Sequence, residues 1–365
     1  MPSVTRQRVL LALLSALSIY TGIKVTYYAV QAPPKTEFDR FAARTLQELR
    51  AVFGLTPQGR WVPSVHETAE ELEHFLFVLL RIFKDLVERT LGRALFMLIF
   101  SMTAPLVTYA TLESVKVRAH FLMNAAIVTL ILLTGQVICV GAALPIFYVP
   151  IVAFVRGSRP MAVFPEPGFA KGALNVMKYT SLVTGPSVVL SSLVPTTHFS
   201  WVYINLVFQF FPLVYLLLAV YMMVSTDYVP VSSHRVAQEY RSNGKRDAII
   251  YWASLGLMVR VGFDYAHSGS IALSDSEILI LWDMLGVALT LVYMFAIDVI
   301  ADPAPTGVLR NNLHEASAGD WVAGTLNTLG SCLVWGPGAT MAEYFARRED
   351  RVAAFHSGQL QHKSQ

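Results

Sequence analysis

Eight long apolar runs recur along the chain, near Val9–Val30, Ala94–Leu112, Phe121–Val149, Ala173–Val194, Trp201–Val224, Ile249–Phe263, Ile278–Ile300 and Trp321–Phe345. A helix needs roughly 20 apolar residues to cross a bilayer. Lipid offers no partner to an open backbone, so the runs predict helices rather than strands. Between the first two runs, Gln31 to Thr90 mixes charges of both signs and reads as exposed to water. Inside it, Leu72, Phe75, Leu76, Leu79, Phe83, Leu86 and Val87 fall on one helical face, with Glu70, Glu73, His74, Arg81, Lys84, Asp85 and Glu88 opposite. That pattern fits a helix lying in the membrane interface, and it equally fits a helix packed on the protein's own bundle. The fold class expected is therefore all-α: a polytopic membrane helical bundle of about eight transmembrane helices plus one interfacial amphipathic helix. Its parts are a first membrane helix (1–30), an extramembrane segment (31–90) with the amphipathic helix at 70–88, a seven-helix membrane core (91–345) and a soluble tail (346–365).

The first run also fits a secretory signal, with Arg6 and Arg8 ahead of Val9–Tyr20. Ala29-Val30-Gln31-Ala32 lacks small residues at both cleavage-determining positions, which favours a retained helix. Basic residues divide evenly between the two sides of the bundle, so the positive-inside rule sets no orientation.

Interruptions give the runs character. Pro105 should bend the second. The third holds Gln136 and ends at Pro145 and Pro150, where its helix should break, and Gly135, Cys139 and Ala143 form a small-residue ridge. Gly185-Pro186 marks a kink in the fourth, and Gln209 lies in the fifth before Phe210-Phe211-Pro212. Ser225 to Arg246 reads as an ordinary polar loop. Arg260 and Asp264, four residues apart on one face of the sixth run, form a self-neutralising pair or a grip on a polar substrate group. Gly336-Pro337-Gly338 breaks the eighth at depth, which is tolerated only where the backbone is buried or lines a cavity.

Composition agrees with the pattern: 54% of residues are apolar and 15% charged, against about 25% charged in soluble domains. A net charge of +3 implies no nucleic-acid partner. The two cysteines, Cys139 and Cys332, both lie in apolar runs and rule out a disulfide framework. The chain lacks a phosphate-binding glycine loop, a CxxC pair and an aspartate-rich diphosphate motif, and His66-Glu67-Thr68-Ala69-Glu70 fails as a zinc motif at its last position. Neither a metal nor a cofactor is expected.

What remains is a set of polar groups at membrane depth. Asp283, beside Trp282 in the seventh run, is the most exposed to argument, since a carboxyl in hydrocarbon costs about 2.5–3.5 kcal/mol on insertion scales. Such a group is kept when it is paired, lines a cavity or does chemistry. Gly286, a turn away, leaves space beside it. A protonated carboxyl in a dry aromatic pocket can protonate an epoxide or alkene, and ring faces over the resulting cation add about 0.5–2 kcal/mol each. Trp282, Tyr251, Trp252, Phe208, Phe210 and Tyr293 are the rings considered for that role. The candidate catalytic groups are Asp283 and Glu113, the latter equally readable as a hydrated end of the second run. Candidate substrate-binding groups are Arg260, Asp264, Gln136, Gln209, Trp282, Tyr251 and Asn327. The plainer alternative has Asp283 hydrogen-bonded to another helix, for instance through Asn327.

Five segments resemble the integral membrane terpene cyclases of fungal meroterpenoid pathways, of the ascofuranone and ascochlorin type. They are Gln136–Tyr148 (QVICVGAALPIFY), Thr184–Pro195 (TGPSVVLSSLVP), Gln209–Val214 (QFFPLV), Leu281–Gly286 (LWDMLG) and Gly336–Asp350 (GPGATMAEYFARRED), in the family's order. The first 90 residues carry little of the resemblance. After Pro145 the family pattern would have a histidine further down the helix, where this chain has Ala153-Phe154-Val155. The resemblance implies metal-independent, acid-initiated cyclisation of an epoxidised farnesyl chain on an aromatic polyketide, by a multi-pass protein of the endoplasmic reticulum. The partners expected are a lipophilic small-molecule substrate and membrane lipid. A transporter or a non-catalytic scaffold for a lipophilic metabolite is the other reading of the residues.

Overall fold

The computed structural model describes residues 4–31, 36–55, 67–114, 120–158, 169–170, 174–175, 178, 190–225, 230–269, 272–301 and 318–363. In chain order the helices are α1 (Val4–Gln31), α2 (Thr36–Ala42), α3 (Leu46–Val52), α4 (Glu67–Glu88), α5 (Thr90–Ser114), α6 (Ala125–Ile138), α7 (Val140–Ala143), α8 (Val149–Ser158), α9 (Phe199–Gln209), α10 (Phe211–Ser225), α11 (Ser233–Ser268), α12 (Asp275–Ala301), α13 (Ala318–Trp335) and α14 (Pro337–Lys363). A π-helical turn, Leu144–Tyr148, joins α7 to α8. Among the described residues the only strands are the two-residue pair β1 (Phe169–Ala170) and β2 (Pro230–Val231), antiparallel to each other.

Four segments among the described residues are long and apolar enough to cross a membrane: Thr5–Ala29, Thr90–Ser114, Val140–Gly157 and Asp275–Asp298. A fifth arises if α9 and α10, bent by 59° at Phe210, act as one span. The expected count of about eight is not reached among the described residues. The run Ala173–Val194 lies mostly outside the described residues. The sixth run belongs to α11, whose polar first half begins at Ser233, inside the stretch expected to be loop. The eighth ends at Gly336, whose φ of 90° stops α13 before α14 begins. The third is broken at Cys139 rather than at its prolines. Pro145 sits inside the π-turn and Pro150 in the first turn of α8. A π-turn bonds five residues apart, which relieves the clash a proline makes in a regular helix.

α1 runs antiparallel along α12. Gln7 Nε2 donates to the Ile300 carbonyl at 3.0 Å, the Thr21 and Tyr293 hydroxyls are 2.6 Å apart, and Tyr28 stacks on Trp282 with centroids 4.8 Å apart. α11 packs along both α5 and α14. Arg241 of α11 donates to Glu343 at 3.1 Å and to Asp350 at 2.6 Å on α14. Burial pushes the Asp350 carboxyl up, but hydrogen bonds from Arg241 and His234 outweigh it and hold the group below its ordinary range. Further in, Arg156 of α8 pairs with Asp298 of α12, which also accepts from Tyr344 of α14 at 2.9 Å. Arg348 of α14 lies 3.9 Å from Glu113 of α5. These buried charges join four elements.

The amphipathic helix α4 turns its apolar side onto the protein. Leu76, Phe77, Leu80 and Val87 are buried with Leu49, Phe53 and Trp201 in a second core, where Phe53 stacks on Phe77 at 5.3 Å. The helix is therefore rotated from the expected face, leaving Leu72 and Phe75 exposed. Of the two placements the pattern allowed, packing on the protein's own helices is the one the structure shows, with α3 and α9 supplying rings and a charge partner to cover it. That partner is Arg50, whose Nη2 lies 2.7 Å from Glu73 Oε2, with both side chains buried. Removing one member of a buried pair strands the other charge and costs about 3–5 kcal/mol. Arg50→Ala is thus expected to lower the thermal midpoint of the detergent-solubilised protein sharply, and an unchanged midpoint would remove the pair from the stability of this region.

Candidate functional site

The site grows from the break at Cys139. Its φ of 78° is adopted with a β-carbon present, a conformation most residues avoid. The chain reverses there. Gly135 of α6 lies against Val140 and Ala143 beyond the break, and at the open end the rings of His120 and Phe154 are 6.0 Å apart. α6 and the α7–α8 segment therefore form a helical hairpin with Cys139 at its tip. The first N–H groups of a helix have no partner within it. One of them, at Gly141, donates to Asp283 Oδ1 of α12.

Two glycines make that contact possible. A β-carbon on Gly286 would overlap the Gly141 carbonyl oxygen, and one on Gly141 would overlap the Asp283 carbonyl. The hairpin tip and α12 thus touch backbone to backbone. The space expected beside Asp283 at Gly286 is taken up by the Gly141 backbone.

Beside this junction lies a cavity of about 490 Å³, walled by α4, α5, α6, α11 and α12. Ligand pockets run from about 300 to 1,000 Å³. Its surface is largely apolar, with Phe83, Phe96, Phe100, Phe208 and Phe211 among the lining rings. Asp283, Cys139 and Gln136 line it near the hairpin tip; Thr103, Thr108 and Thr111 add hydroxyls along α5. Asn243, Arg246 and Asp247 line it from α11.

Of the residues singled out by sequence, the structure brings Asp283 and Gln136 to this cavity together. Glu113, in the last turn of α5 just beyond the lining Thr111, is buried near Arg348 and does not itself line the cavity. Gln209 is buried, and neither side-chain polar atom has a hydrogen-bond partner among the described residues; it lies between two lining phenylalanines without lining the cavity itself. Trp282 faces away, stacked on Tyr28. Tyr251 is turned toward α13, its hydroxyl donating to the Leu333 carbonyl at 3.1 Å. Arg260 and Asp264 are exposed on the outer face of α11 with no ion pair between them, because the apolar half of that helix is only partly covered by its neighbours. Asn327 is exposed on α13, so it cannot be the partner of Asp283, and the Gly141 N–H holds that position instead. Of the rings considered for cation stabilisation only Phe208 lines the cavity.

Sequence reasoning missed Asn243 and Asp247, both buried. The signal was present: Val236, Tyr240, Asn243, Asp247, Tyr251 and Ser254 recur at helical spacing and are all buried. Lys245 and Arg246, exposed between them, gave the stretch the look of a loop. Among the described residues, no three His, Cys, Asp or Glu side chains come together as a metal-holding group.

No family model, curated protein or solved structure matches the chain.

Proposed function

We propose that the chain is a membrane terpene cyclase of the endoplasmic reticulum that closes rings in an epoxidised farnesyl chain carried on an aromatic polyketide, without a metal or cofactor. The observation that carries this reading is a carboxyl group, Asp283, in the wall of an apolar, phenylalanine-lined cavity of ligand size. The resemblance supports it from a second direction. Two of the five family-like segments, Gln136–Tyr148 and Leu281–Gly286, are far apart in the chain yet meet at Gly141 and Asp283.

In this reaction Asp283 delivers its proton from Oδ2, Oδ1 being engaged by the Gly141 N–H. The proton goes to the epoxide oxygen as the carbon–oxygen bond breaks. The neighbouring alkene attacks the electron-poor carbon, and each ring closure moves the positive charge along the chain. A proton lost from the carbon beside the last cation returns to the Asp283 carboxylate, so the product is an isomer of the substrate. The phenylalanine faces attract the travelling cation, and the apolar walls exclude water that would capture it.

The test is conversion. Microsomes carrying the chain are expected to turn a terminally epoxidised farnesyl phenol into a cyclic isomer of equal mass, and recovery of the open epoxide alone would sink the enzyme reading. A second reading draws on the broken hairpin: discontinuous helices meeting a charged side chain are also how transporters build binding sites. Flux of the uncyclised substrate across proteoliposomes, with no isomer formed, would favour it.

A further inference from the structure

The cavity has a second polar feature besides Asp283. Asp247 of α11 lines it and is 4% exposed, and its Oδ2 has no hydrogen-bond partner among the described residues. Asn243, one turn earlier on the same face, is also buried and lines it. Arg246 lines the cavity as well but is exposed, so this stretch of α11 is where the cavity reaches the surface of the fold. Gly244 lies against Ala342 and Ala339 of α14, which fixes the helix at this level. A buried carboxyl oxygen without a partner is costly, and buried polar atoms in folded proteins are rarely left so. One in the wall of an apolar cavity points to a donor that arrives from outside the chain.

We infer that Asn243 and Asp247, with Arg246 at the rim, form the head-group subsite for an amphiphilic ligand whose head carries a hydroxyl. The hydroxyl donates to Asp247 Oδ2, and the apolar tail runs across the phenylalanines toward Asp283 and the hairpin tip. The inference rests on the cavity being an isoprenoid site, as proposed above, and adds the direction in which the ligand lies: the oxygenated end at α11, the far end of the tail at α12. Asp247 acts here in binding and needs no part in proton transfer.

The experiment uses two radiolabelled probes, farnesol and a sesquiterpene hydrocarbon of the same length, with the full chain in lipid nanodiscs. Wild type is expected to bind the alcohol about tenfold more tightly than the hydrocarbon, the worth of one buried hydrogen bond. Asp247→Leu should erase that preference and leave hydrocarbon binding unchanged, while Asp247→Asn keeps part of it. Should Asp247→Leu fail to fold, Asn243→Ala reads the same subsite and is expected to reduce the preference. Equal binding of both probes by wild type would overturn the head-group subsite while leaving the cavity as a lipid site, with Asp247 satisfied by water alone. Retention of the preference in Asp247→Leu and Asn243→Ala would overturn it too. Binding of neither probe would overturn the isoprenoid reading of the cavity, and the subsite with it.

Discussion

Asp283→Asn is expected to lower cyclisation by at least about a hundredfold while leaving the protein folded. The two side chains have the same shape, and an asparagine carbonyl can accept from the Gly141 N–H as Oδ1 does now. The junction between the hairpin tip and α12 therefore persists. What is lost is the acidic proton, and general acid catalysis contributes about 10²–10⁴ in rate. Turnover of the epoxide in microsomes, normalised to protein recovered in the membrane, reads the effect. Wild-type turnover by the asparagine variant would take Asp283 out of the chemistry. Asp283→Ala separates structure from reaction: it also leaves a buried N–H unmet, at about 1–3 kcal/mol, and so lowers the thermal midpoint where asparagine does not.

Gly286→Val is expected to lose the folded protein altogether. Added methyl groups in a packed core ordinarily cost about 1–3 kcal/mol by displacing side chains. Here the obstacle is the Gly141 carbonyl, part of a backbone held between α6 and α8. The hairpin tip must move off α12, and the Asp283–Gly141 bond goes with it. A loss of about 3 kcal/mol or more removes a large part of a total near 5–15 kcal/mol. Gly262→Ala is the control, since a β-carbon there meets nothing within 4 Å and alanine suits a helix better than glycine by up to about 1 kcal/mol. Yield and thermal midpoint in detergent decide the matter: equal values for Gly286→Val and wild type would mean the two backbones are not in contact.

The helical, membrane-suited character of the chain was legible because long apolar runs admit few other structures. That Asp283 would line a cavity was legible as well, because a carboxyl stands out in an apolar run. The break at Cys139 was not. Cysteine carries a β-carbon and has no turn preference, while the nearby Pro145 and Pro150 advertised a break that the π-turn makes unnecessary. Asp247 was hidden for a different reason. Its neighbours Lys245 and Arg246 are exposed, and charge density read along the chain masks a buried stripe that shows only when the residues are wound onto a helix. Arg260 and Asp264 misled in the opposite sense: a close pair of charges in an apolar run invites a functional role, but both point outward.

The buried charges shared by α5, α8, α12 and α14 bear on how the molecule is made. Arg156 is synthesised well before its partner Asp298, and Tyr344 and Arg348 come later still. A buried charge lacking its counter-ion is strongly destabilising, so the burial of Arg156 and Glu113 is complete only once α12 and α14 are in place. α14 is thus the keystone: a chain cut ahead of it is expected to lose both the Arg348 partner of Glu113 and the Tyr344 bond to Asp298, and to be less stable than the whole.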